Sequence, residues 1–153
     1  MLRYIYGFAD TPKEIERSLM DKAGNIIDHL LYIILAPNTS TVNHWAHEIY
    51  AFISRVPKLK GKNKYPSAEQ LYAWTYLKWR DSFIDNDTTM LRIIQAAQQE
   101  ENIPGDFDID IVRNNLDYAC TEYFTWLCVE LSDNGRITPD IAKTKIKEII
   151  NQL

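Results

Sequence analysis

Glycine is scarce in this 153-residue chain, and its five copies stand far apart at Gly7, Gly24, Gly61, Gly105 and Gly135. That spacing excludes any loop in which clustered glycines let backbone amides cradle a phosphate. Cysteine is scarcer still. Cys120 and Cys128 fall on one predicted helix, where eight residues of helical rise hold their backbones roughly 12 Å apart, beyond disulfide reach. They read as buried free thiols of a reducing compartment. No long hydrophobic run is present: the stretch from Ile26 to Leu35 is interrupted by Asp28 and His29 and is too short to span a bilayer. Met1 to Asp10 carries one arginine and no extended apolar core, so no secretory signal is read there. The expectation is a cytoplasmic protein without a membrane partner.

What is present is helical periodicity, punctuated by proline. Pro12, Pro37, Pro57, Pro66, Pro104 and Pro139 all fall between periodic stretches and none inside one, as expected of a residue that lacks a backbone donor and clashes with the preceding turn. Residues 1–10 form an apolar arm, extended or a single helical turn. Thr11-Pro12-Lys13-Glu14 then opens a helix predicted over 12–36, striped by Ile15, Leu19, Ala23, Ile26 and Leu30, with Gly24 a weak point in its middle. Ser40 or Thr41 is the expected cap of a second helix carrying Val42, Trp45, Ile49 and Ile53. Ser67 to Gln70 reads as a capping box for a third, running to about Ile84. Its apolar residues form two sets: Leu71, Trp74 and Leu77, then Tyr72, Tyr76, Trp79 and Phe83. Asp87 is the expected cap of a helix over 88–101 with Leu91, Ile94 and Ala97 or Gln98 inward. Asp108 opens a long helix through Val112, Leu116, Tyr123, Leu127 and Leu131, which Asn134-Gly135 should end. Thr138-Pro139 starts the last, with Ile141, Ile146, Ile149 and Ile150 shaping it. The prediction is an all-α fold, residues 1–153 forming one irregular bundle of about six helices.

Candidate chemistry is thin. His44 and His47 lie one turn apart and are a candidate metal pair, but the His-Glu-x-x-His pattern begun at His47-Glu48 fails because residue 51 is Ala. A third ligand would have to come from elsewhere, and His29 belongs to another helix. Glu130 to Ile141 resembles a calcium loop only in its middle, since its first and twelfth positions lack the required Asp and Glu. The acidic groups Asp106, Asp108, Asp110, Asp81, Asp85 and Asp87 are accounted for by first-turn capping and the helix dipole. No cofactor pattern and no nucleophile signature is found.

Two features remain. The third helix is apolar on more than one side, which suits burial at an interface and makes Tyr72, Trp74, Tyr76 and Trp79 a candidate interaction surface. Arg55, Lys58, Lys60, Lys62 and Lys64 form a basic loop without an acid, in a chain whose net charge is −4. The expectation is a non-enzymatic interaction or regulatory factor of a bacterium or phage, its partner another protein or a second copy in a homodimer. A nucleic-acid factor using the basic loop is the alternative, opposed by the net charge. A metal-dependent enzyme centred on His44 and His47 is the second.

Overall fold

The computed structural model describes residues 8–9, 11–59, 65–133 and 137–153. Among these, six helices pack as an all-α bundle. The first, Pro12–Leu35 (α1), starts where Thr11 accepts the Glu14 amide proton, with proline at the start of the helix where no donor is required. Thr39–Ser54 (α2) is capped by Asn38 rather than Ser40 or Thr41: the Asn38 side chain takes the Thr41 amide at 2.9 Å, while the Thr41 hydroxyl turns back to the Ala36 carbonyl. Phe8–Ala9 (β1) pairs in parallel with Lys58–Leu59 (β2), so the end of the N-terminal arm is extended.

The third helix, α3, is continuous over 68–83 but not uniform. Ser67 and Gln70 form the expected reciprocal capping box. Ala68–Tyr72 is ordinary α-helix, Ala73–Leu77 is a widened π-type turn, and Lys78–Phe83 returns to α. Thr75 departs from helical torsions at ψ −106°, and its hydroxyl bonds the Leu71 carbonyl at 2.9 Å and the Tyr72 carbonyl at 3.2 Å. The extra residue in this turn rotates the remainder of the helix, which breaks the two expected apolar sets. Leu71, Thr75, Tyr76 and Phe83 are buried, whereas Leu77 and Trp79 are exposed.

Asp87–Glu101 (α4) is capped by Asn86, one residue before the expected Asp87, and ends at Asn102 in the left-handed region with φ 51°. Its inward face is Met90, Ile94 and Ala97, and Leu91 points outward. Ile109–Ser132 (α5) is capped by Asp108 as expected, and its inward stripe from Val112 to Leu127 is buried. The Asn134-Gly135 stop signal lies outside the described residues. Pro139–Asn151 (α6), capped by Thr138, buries Ala142, Ile146 and Ile149 and leaves Ile141 exposed.

Helix α5 touches α1, α3, α4 and α6, and α2 bridges α1 to α6. At the centre Tyr76 stacks on Phe124 with ring centroids 5.9 Å apart, and Tyr123 meets Phe124 edge-on. Gly24 has a packing reason: a Cβ there would stand 3.1 Å from the Trp79 ring, so its bare backbone is the seat on which α3 lays Trp79.

Candidate functional site

The aromatic residues of α3 divide. Tyr76 is not a surface residue: it is fully buried, and its hydroxyl donates to Asp117 at 2.5 Å, where the Arg80 Nε also donates at 3.0 Å. Burial, then the nearby Cys120 and Asp117, hold its phenol far above the usual range. Trp74 is half-buried against the small cluster of Ile15, Leu19 and Leu71. Trp79 keeps 38% of its surface open while its indole covers Gly24. Tyr72 is half-buried and lines a groove.

That groove, about 350 Å³, runs between α3 and α5 and is lined by Tyr72, Ala73, Leu77, Thr125, Cys128 and Val129, with Ala68 and the charged Glu69 of the first turn of α3. Leu77 stands 44% exposed on one rim and Val129 43% on the other. The Cys128 thiol is buried and pushed up to about 12 by that burial, against a hydrogen-bond contact with the Thr75 hydroxyl that pulls the other way. It is an inert apolar surface, not a nucleophile. A second groove, of about 360 Å³ between α5 and α6, is lined by Trp126, Asp140, Ile141, Thr144, Lys145 and Glu148.

Between the two grooves α5 presents a ridge that is not free-standing: Tyr118 and Glu122 on it line a further groove of about 290 Å³ with Lys145, Glu148 and Ile149 of α6. From Ile111 to Val129 its exposed residues are Ile111, Asn114, Tyr118, Thr121, Glu122, Thr125 and Val129, with a single charge among them. Ile111 and Val129 are separated by 18 residues, five full turns at about 100° per residue, so both stand at the same azimuth about 27 Å apart. Tyr118 and Glu122 fall within about 20° of that line on either side. This ridge escaped the sequence reading, which followed the buried stripe of the same helix. The signal that could have found it was the scarcity of charge at outward positions.

His44 and His47 both stand exposed on α2. Glu48 turns to both His29, at 2.5 Å, and His44, at 3.2 Å, and His47 is exposed beside them. The His29 ring lies against Tyr32 and Phe52, and its Nδ1 faces the Asn25 carbonyl at 2.7 Å. The triad ties α1 to α2. Among the described residues no three His, Cys, Asp or Glu side chains are placed to hold one metal ion.

Of the basic loop, Arg55 is exposed at the end of α2 and Lys58 lies in β2; Lys60, Lys62 and Lys64 fall outside the described residues. Tyr65 donates to the Pro57 carbonyl at 3.3 Å across the base of that loop. The acidic groups serve local structure: Asp87 and Asp110 both bind Arg113, and Asp108 caps α5. Among the described residues no helix is long and apolar enough to cross a membrane. Compared with known proteins, the chain matches no family model, no curated protein and no solved structure.

Proposed function

We propose that the protein is a non-enzymatic interaction factor whose docking surface is the face formed by α3, α5 and α6. One observation carries this reading: the outer face of α5 has one charge, Glu122, among its seven exposed residues from Ile111 to Val129, and exposed apolar side chains, Ile111, Leu77, Val129 and Ile141, gather on and beside it between grooves whose far walls carry Glu69, Lys145 and Glu148. Depletion of charge with retained aromatic and aliphatic surface is the compositional mark of an interface centre. The setting that fits the sequence reading is the cytoplasm of a bacterium, or of a phage-infected one.

The test is affinity capture with the wild-type chain and with Leu77→Arg and Val129→Arg, at low and high salt. A stoichiometric protein retained at high salt by the wild type and lost with both variants is the expected result. Retention unaffected by either substitution would place the docking surface elsewhere. Nucleic acid eluting as salt rises would instead favour the basic loop.

A further inference from the structure

The His29 ring meets an acceptor at each of its nitrogens. Nδ1 stands 2.7 Å from the Asn25 carbonyl on its own helix, and Nε2 stands 2.5 Å from Glu48 Oε2 on α2. A carbonyl oxygen can only accept, so Nδ1 carries a proton. In a neutral imidazole that leaves Nε2 with a bare lone pair, facing a carboxylate that is itself acceptor-only. Two lone pairs do not approach so closely without a proton between them. The pair therefore holds one proton more than a neutral imidazole beside an ionised carboxylate. Turning the ring over would give both acceptors carbon neighbours, so the two contacts fix its orientation as well.

The surroundings place that proton on the ring. The His29 side chain is 14% exposed and lies against Tyr32 and Phe52. Beside Glu48, the charged groups near it are Asp28 on α1 and Glu100 and Glu101 on α4, with Glu100 accepting from the Tyr32 hydroxyl at 3.0 Å. His44 on α2 reaches the other oxygen of Glu48 at 3.2 Å, which a neutral ring does with its ordinary N–H. Among the described residues none of these four carboxylates pairs with a lysine or arginine.

We infer that His29 and Glu48 form a proton-held clasp between α1 and α2, closed while they share the extra proton and loosened when rising pH removes it. In the unfolded chain a glutamate gives up its proton at about 4.3 and an imidazole at about 6.5. Between those values both states carry the same protons at this pair, and the clasp contributes its full stability. Above about pH 6.5 only the folded chain holds the extra proton, so stability is lost as pH climbs, the unfolding constant rising up to about tenfold per pH unit. The clasp uses no residue of the docking surface, and the two readings stand or fall separately.

The test is urea unfolding from about pH 6 to about pH 9 on the wild type, Glu48→Gln and His44→Gln, with nitrogen NMR of the wild-type imidazole rings. A glutamine at position 48 can donate an N–H to the neutral ring, so that variant needs no extra proton. Relative to it, the wild type should lose up to about tenfold in folding equilibrium per pH unit above about 6.5, and His44→Gln should keep the wild-type slope. Both nitrogens of His29 should still be protonated at about pH 7.5, above the ordinary imidazole range. Three results would overturn the clasp: a His29 ring with one protonated nitrogen at that pH, parallel profiles for the wild type and Glu48→Gln, or a slope lost in His44→Gln. Should Glu48→Gln fail to fold, the wild-type ring nitrogens decide alone.

Discussion

The hydroxyl of Tyr123 is wholly buried, and among the described residues it has no hydrogen-bond partner. A buried donor left unpaired costs about 1–3 kcal/mol, so Tyr123→Phe should leave stability unchanged or raise it by up to about 1 kcal/mol. Urea unfolding measures this, and a clear loss would show that the hydroxyl is satisfied after all. Asp28 has the opposite problem, a carboxyl pushed above its ordinary 3.8 by desolvation, with His29 pulling it down and Glu100 pushing it further up. The folded chain therefore holds this proton more tightly than the unfolded chain. Stability contributed by Asp28 falls as pH rises from its ordinary value through the raised one. Because Asp28 stays exposed and its charge is screened by water, Asp28→Asn should raise Tm at pH 7 only slightly and change nothing at about pH 3, where both residues are neutral. Cys120 and Cys128, both buried and with thiols pushed upward by that burial, should resist alkylation at neutral pH in the native protein and react once it unfolds. At this scale the sequence was readable where a residue's type settles its fate, as for the buried cysteines. It was not readable for His29, because only the packing of α1 on α2 brings that ring to Glu48.

Helix α3 carries the clearest departure at the scale of elements. Neither glycine nor proline marks its widened turn, and Thr75, whose hydroxyl occupies two carbonyls there, is a common residue in ordinary helices. The phase of Leu77 and Trp79 was therefore illegible from periodicity alone. The same widened turn sets Trp79 on Gly24, which suggests a double-mutant cycle. Gly24→Ala gains helix propensity worth up to about 1 kcal/mol but must displace the Trp79 ring. In a Trp79→Ala background only the gain remains, so Gly24→Ala should stabilise that variant more than the wild type, with thermal melts as the measurement. Elsewhere the misreadings were small. Asn38 caps two or three positions earlier than expected and Asn86 one, because an asparagine stood ready before the anticipated residue. In α4 and α6 the buried series begins one residue away from the expected one, at Met90 instead of Leu91 and at Ala142 instead of Ile141. Two adjacent apolar residues in a first turn both satisfy the helical period, and the neighbouring helices choose between them.

For the whole molecule, proline placement and apolar spacing made the all-α bundle legible in the chain itself, since both arise from local chemistry. The surface was not legible in the same way. Outward positions obey no burial constraint, and the outer face of α5 becomes visible only once the grooves it shares with α3 and α6 are located. The small parallel pair formed by β1 and β2 has its own consequence, for the order of assembly. Its strands are about fifty residues apart in sequence, a costly closure for an open chain. Once α1 and α2 have folded back on each other, that closure is largely complete and the strands meet at little further entropic cost. The pair should be a late event in folding, fastened over a finished hairpin and opening before it.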